Sequence, residues 1–312
     1  MVRTPTGETG EAMSTTSRIV VTGSSGLVGS ALVDALRADG VAVTRLVRRE
    51  PAHAGEVQWH PGERQLDPAV LAGAGAMVNL NGASIGRLPW GRRYREVLRS
   101  SRLTPTATIA AAVAQLGADA PLFVSASAVG FYGDRPREVL TEHAERGDTF
   151  LADLSAEWES AALEAGPGAR VALLRTAPII HRKGVLKPLV LLTRLGLSGP
   201  LGGGGQIWPW ISLADEVRAI RHIIDNQLTG PVNLTGPTPA SANVIGEAIA
   251  AELRRPYVLP APAWALRLGL GRDAADSLLL SDADVRPEAL LSSGFEFAHA
   301  HAADAVRAAL AG

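Results

Sequence analysis

Between Arg18 and Arg175 the chain alternates short apolar runs with longer stretches that place apolar side chains on one helical stripe. No other feature narrows the fold so far. Ile19-Val20-Val21 is a continuous apolar run, as a strand buried on both faces of a parallel sheet requires. Residues 27–38 then carry Val28, Leu32, Ala35 and Leu36 on one stripe, and Gly40 ends it. Further strands are read at 41–47, 76–80, 122–125 and 171–174, and helices at 94–116 and 152–165. Pro105 is expected to kink the first of these two helices or open a new first turn. Strand-helix alternation at this spacing gives an α/β fold, a doubly wound parallel sheet of Rossmann type with right-handed crossovers.

After Arg175 the texture changes. Gly, Pro and Trp are frequent up to Trp210, and shorter helices are read at 214–226, 243–254 and 263–270. The expected organisation is therefore a dinucleotide-binding domain over 18–176 and a smaller α/β substrate domain over 177–312, with allowance for strands of the second half returning to the sheet. Residues 1–17 are rich in Thr, Ser and Gly without periodicity or an apolar signal core, and read as a disordered extension or a start upstream of the true one at Met13.

The turn after the first strand reads Thr22-Gly23-Ser24-Ser25-Gly26-Leu27-Val28-Gly29. Gly23 allows the tight turn, Gly26 lets backbone amides approach a pyrophosphate, and Gly29 lets helix and strand pack closely. The helix N-terminus adds unpaired N–H groups and a positive dipole end. A glycine-rich turn alone is weak evidence; strand before and helix after make it a dinucleotide site. The second strand selects the cofactor. An NAD site usually has an acid about 20 residues past the glycines, but none lies between Asp39 and Glu50. Arg48 and Arg49 stand there instead, suited to a 2′-phosphate, so NADP(H) is the expected cofactor. The plainer alternative is two solvated surface arginines. Leu80, Asn81, Gly82 and Ala83, with Ser125, are expected to line the nicotinamide side, and Ser127 stands on the same strand end.

Composition bounds the rest. The formal net charge of -1 gives no long-range attraction to nucleic acid or anionic membrane, and no stretch reaches the roughly 18 apolar residues of a membrane span. The absence of cysteine removes disulfides and thiolate metal sites and agrees with a cytoplasmic setting. The histidines are scattered without metal-ligand spacing, so no metal is expected.

Taken together, VTGSSGLVG, SASAVGFYGD (125–134), LLRTAPII (173–180), GPLGGGGQIWPWISLADEV (199–217) and the tail from Pro260 through LLSSGFEF resemble the extended, atypical short-chain dehydrogenases/reductases. Within these the chain is similar to the NAD(P)-dependent epimerase/dehydratase family, in the branch named for sugar-nucleotide epimerases that ends in a domain of unknown function. The resemblance implies a nicotinamide-dependent oxidoreductase or epimerase acting on a small polar substrate such as a nucleotide-sugar. By analogy it also leaves open a homodimer through helices 94–116 and 152–165.

One departure is plain. Such enzymes transfer hydride with a Tyr-x-x-x-Lys pair, whose lysine lowers the phenol pKa. Four residues after each of the three tyrosines stand Leu98, Pro136 and Ala261, and the expected helix places Leu151 and Ser155 near the Tyr and Lys positions. The remaining catalytic candidates are Ser127 and Tyr132, the latter as a general acid or as a packed loop residue, with Glu142 a further acid. Arg102 is a candidate for a substrate anion; Gln206 and Trp210 are candidates for substrate contact beside a glycine loop that would hold a diphosphate or act as a lid hinge. Asp215 reads as the cap of the following helix. Two functions follow: an NADP(H)-dependent enzyme, or a non-catalytic NADP(H) sensor that organises a partner.

Overall fold

The structure, a computed structural model, describes residues 18–184 and 186–311. The disordered extension expected at 1–17 lies outside these. In the first half the strands are β1 (Ile19–Thr22), β2 (Val43–Val47), β3 (Glu56–Gln58), β4 (Ala76–Asn79), β5 (Leu122–Ala128), β6 (Arg135–Leu140) and β7 (Val171–Thr176). The helices among them are α1 (Leu27–Ala38), α2 (Arg92–Leu116) and α3 (Phe150–Leu163). The second half contributes β8 (Ile179–Ile180), α4 (Leu186–Arg194), β9 (Ile207–Trp208), β10 (Ile211–Ser212), α5 (Leu213–Asp225), β11 (Gly230–Leu234), β12 (Ala240–Ser241) and α6 (Ala242–Leu253). It closes with α7 (Ala263–Leu270), α8 (Arg272–Ala275), β13 (Ala283–Val285), α9 (Glu288–Ser292) and α10 (Ala302–Ala311).

Seven parallel strands form the main sheet in the order β11-β7-β5-β4-β1-β2-β3. Alternate residues along each strand feed opposite cores. Val21, Val78, Val124 and Leu174 meet α1 and α5 through Leu32, Leu36, Ile220 and Ile224. Val20, Met77, Phe123 and Leu173 meet α2 and α3 through Ile109, Val113 and Ala162. Each such side chain, sealed from water, stabilises the fold by roughly 1.5–3 kcal/mol. This double coverage is why the strands read as unbroken apolar runs.

Several elements differ from the sequence reading. The helix in which Pro105 is expected to make a kink or open a new first turn is one continuous element from Arg92 to Leu116, so no new first turn begins at Pro105. Proline removes one amide bond there, and a packed face with Leu98, Ile109 and Val113 at 0 % exposure offsets it. Three-residue β3 carried no periodicity to read. As the sequence reading allows, a strand of the second half, β11, returns to the main sheet beside β7, and α5 packs on that sheet. Ser212, not Asp215, caps α5: its Oγ accepts from the Asp215 amide at 3.0 Å and donates to Asp215 Oδ2 at 2.9 Å. The Asp215 carboxylate instead accepts from the amides of Ala298 and His299 and fastens the C-terminal loop.

The rest of the second half forms a smaller layer. Paired strands β8–β10 and β9–β12 and helices α4, α6 and α10 surround Trp208, Trp210, Ile245, Ile249 and Val306. Strand β13 pairs with β6, and Ala274 of α8 packs on Trp90, Leu98 and Leu154, so the second half lies over the ends of α2 and α3. Among the described residues no helix is long and apolar enough to cross a membrane.

Candidate functional site

The order of the main sheet reverses direction between β1 and β4, which opens a crevice at their carboxyl ends. Gly23 turns there with φ +66°, and a Cβ on it would lie 2.4 Å from the Leu80 carbonyl oxygen, so the two strand-end loops touch. A Cβ on Gly29 would lie 2.3 Å from the Gly23 carbonyl oxygen, so no other residue lets α1 sit this close to the turn. The Gly26 amide closes the turn onto Gly23 at 2.9 Å, and Gly26, as the N-cap, offers no side chain to the first amides of α1. Ser24 is buried and Ser25 and Gly26 are exposed at the crevice, with Leu27 and Val28 half-buried beside them. Gly184 closes over Leu27 from the second half: a Cβ on it would lie 3.6 Å from Leu27 Cδ2. A cradle of bare backbone at a helix N-terminus suits a diphosphate.

The paired arginines part company at the end of β2. Arg49 forks onto Glu56 through Nη1 and Nη2, each at 2.7 Å, and Arg45 pairs with the same carboxylate. These bonds, with one from the Ala52 amide, hold the Glu56 carboxyl down at about 2. Arg48 is exposed and has no hydrogen bond or ion pair among the described residues, which leaves it able to reach a ligand. With Glu50 and Glu56 set against Arg45, Arg48 and Arg49, this edge keeps a net positive charge. Sequence reading missed Glu56, because it approaches across a strand pair rather than along the chain.

Deeper in the crevice Thr22, Asn79, Asn81 and Thr106 form a buried chain. Thr22 Oγ1 donates to Asn79 Oδ1 at 3.1 Å, Asn79 Nδ2 to Thr106 Oγ1 at 2.8 Å, and Asn81 Nδ2 reaches Asn79 Oδ1 at 2.8 Å. This chain fixes the loop Leu80-Asn81-Gly82-Ala83, and the Ala83 amide adds a bond to Ser101 Oγ at 3.0 Å. Ser125 is fully buried on β5 in register with Asn79.

Ser127 and Tyr132 belong to one buried network. Ser127 Oγ donates to Glu159 Oε1 at 2.7 Å, and Arg175, opposite Ser127 on β7, grips Glu159 with Nε at 2.8 Å and Nη2 at 2.9 Å. Arg175 Nη1 also donates to the Tyr132 hydroxyl at 3.0 Å, and that hydroxyl donates to Asn233 Oδ1 at 2.6 Å. Tyr132 is fully buried, and burial pushes its phenol above the usual range. Both of its hydrogen-bonding roles are filled inside the protein. Glu142 closes the network, with Oε1 accepting from the amides of Asn233 and Ala289. Leu151, expected from the sequence to lie near the tyrosine position, faces Gly130, where a Cβ would lie 3.1 Å from its own. Glu159, Arg175 and Asn233 were not legible as a group, since their meeting depends on three elements of the fold.

The candidates for substrate contact separate. Arg102 lies beside Gly82 and Ala83. Trp210 is in the smaller core at 2 % exposure, its indole N–H donated to Thr238 O at 2.9 Å and its ring against Gly236. Gln206 bonds the carbonyls of Leu201 and Leu279 and so ties its loop to the segment after α8. The glycines of that loop serve close packing: Cβ atoms on Gly199 and Gly204 would strike Leu259 and Asn243. Among the described residues no group of three His, Cys, Asp or Glu could hold a metal.

A crevice at the switch point of a Rossmann sheet, with a glycine cradle at a helix N-terminus, defines a dinucleotide-fold protein. The chain belongs to the NAD dependent epimerase/dehydratase family, whose profile matches residues 19–235; a second profile, a domain of unknown function (DUF1731), matches 261–309. It is 41% identical over 284 residues to the Epimerase family protein ML0860 of Mycobacterium leprae, across 90% of this chain and 92% of that one. The human epimerase family protein SDR39U1 (isoform 2), solved with NADPH, superposes with a TM-score of 0.82 at 27% identity, covering 93% of this chain and 98% of that one. A nucleoside-diphosphate sugar epimerase from Corynebacterium glutamicum superposes at 0.74 with 32% identity, covering 93% of this chain and 57% of the other.

Proposed function

We propose that the protein binds NADP(H) in the β1–α1 crevice and uses it as an oxidoreductase or epimerase-like enzyme on a small substrate. The observation that carries this reading is the division of labour at the end of β2. Glu56, the one buried acid there, is engaged by Arg45 and Arg49, and Arg48 is left for a 2′-phosphate. The NADPH in the human SDR39U1 structure supports the same reading. In this scheme Gly23 through Gly29 take the diphosphate, Arg48 the 2′-phosphate, and the loop 80–83 the nicotinamide side. A bound nicotinamide supplies or accepts hydride. Ser127 is the candidate catalytic hydroxyl, oriented by the Glu159–Arg175 pair. The name of the Corynebacterium relative makes a nucleotide-sugar one candidate substrate.

A second reading has its own observation. Leu151 stands at the tyrosine position, and both Ser127 and Tyr132 are bound into the interior, which suits a sensor of NADP(H) that presents its state to a partner. Turnover of an alcohol or carbonyl panel, or exchange of a substrate C–H with solvent deuterium, separates enzyme from sensor. The cofactor assignment is tested by fluorescence titration with NADPH and NADH. NADPH is expected to bind more tightly, and Arg48→Ala to weaken NADPH by roughly 10- to 100-fold while leaving NADH unchanged. Equal affinities in the native protein, or equal losses in the variant, refute it.

A further inference from the structure

Among the described residues two guanidinium groups are buried, and they are treated differently. Arg175, 4 % exposed, is matched by the Glu159 carboxylate through two bonds. Arg102, 9 % exposed, has no carboxylate partner among the described residues. Its Nη1 donates to the Leu98 carbonyl and its Nη2 to the Ala83 carbonyl, each at 3.1 Å. Its Cζ lies 5.1 Å from the Trp158 ring centroid and 3.2 Å from where a Cβ on Gly82 would be. The group is therefore held close to an indole and to a glycine that is itself exposed.

A guanidinium has five N–H donors, and two carbonyls do not neutralise it. Burial without a counter-ion is costly, and it lowers the Arg102 pKa to about 10. A Cβ on Gly82 would stand 3.2 Å from Cζ, 3.4 Å from Nη2 and 3.5 Å from Nε, so the guanidinium lies directly against the backbone of the loop 80–83. The ground around the guanidinium is apolar: Trp90, Leu98, Leu154 and Ala274 form one cluster, with Leu151 and Leu278 packed on it. A planar fork with free donors, held rigid among apolar side chains, matches a carboxylate on an apolar or aromatic body.

We propose that Arg102 anchors the carboxylate of an apolar or aromatic monocarboxylate substrate beside the loop 80–83. The proposal rests on the reading that this loop flanks the nicotinamide, and it narrows the substrate class of that reading. The Arg102 slot belongs to the substrate rather than to the cofactor diphosphate, which has its own cradle on α1.

The test uses benzoate and its neutral isostere benzamide, titrated calorimetrically into the full chain with and without saturating NADPH. Benzoate is expected to bind at least tenfold more tightly than benzamide. Arg102→Gln is expected to erase that preference and to leave the NADPH dissociation constant within about twofold, with Arg102→Lys intermediate. Equal binding of benzoate and benzamide to the native protein, or no binding of either up to 10 mM (about the weakest affinity a useful subsite would show), overturns the proposal. So does a loss of NADPH affinity of tenfold or more in folded Arg102→Gln, which would give the guanidinium to the cofactor. If the native chain binds no NADPH, the cofactor reading fails by itself, and the benzoate comparison on the free protein still decides the role of Arg102.

Discussion

Glu216 is a carboxyl group in an unusual position, at 1 % exposure near the start of α5. The Thr176 hydroxyl donates to its Oε1 at 2.9 Å, and its Oε2 has no partner. Burial raises its pKa from the ordinary 4.5 to about 8, so the folded protein holds a proton that the unfolded chain releases. Stability from this group is full below about pH 4.5 and is lost as pH rises to about 8. Glu216→Gln, which stays neutral, is expected to match the native protein in thermal unfolding at pH 5 and to exceed it by several degrees at pH 9. A pH-independent difference between the two would remove Glu216 as the source. At this scale the legible residues were those whose role is set by local backbone. Gly23 and Gly29 declare themselves because a tight turn and a close approach admit nothing larger. Arg48 and Arg49 look alike in the sequence, and only Glu56, arriving from the neighbouring strand, tells them apart.

Among the elements, α3 turns a structural face toward the sheet. Its Glu159 reaches down to Arg175 of β7 and Ser127 of β5, so one ion pair sets the distance between helix and sheet. Glu159→Ala leaves a buried guanidinium unpaired and is expected to destabilise the protein by about 3–5 kcal/mol in urea unfolding. Replacing both Glu159 and Arg175 with methionine is expected to recover most of that loss. A cost under about 1 kcal/mol for the single change would show that water reaches the pair. Helices were legible because stripes over many turns leave little ambiguity: α7 matches the expectation of 263–270 and α1 that of 27–38. Strands of two or three residues, such as β3 and β8, were not, because so few residues show no period. The α5 cap was misassigned between two neighbouring residues, Ser212 and Asp215, that both accept hydrogen bonds.

For the molecule as a whole, strand return across the boundary expected near residue 176, which the sequence reading allows, is what completes the sheet. Strand β11 lies along β7 from Gly230 to Leu234, and α5 fills the space beside α1, so residues 213–234 complete the sheet begun by the first half. A fragment of residues 18–176 is expected to bind no NADPH measurably and to aggregate, because β7 would present a bare apolar edge. A fragment ending at 235 is expected to be the more soluble of the two by sedimentation. A monomeric, cofactor-binding 18–176 fragment would show that the added strand and helix are dispensable.

The place of β11 also bears on how the protein is made. Synthesis runs at about 5–20 residues per second, so for several seconds after β7 emerges its outer edge has no neighbour from its own chain. The glycine cradle is already translated by then, yet the sheet that holds it is one strand short. A nascent chain in that interval is a natural client for whatever shields open β edges at the ribosome.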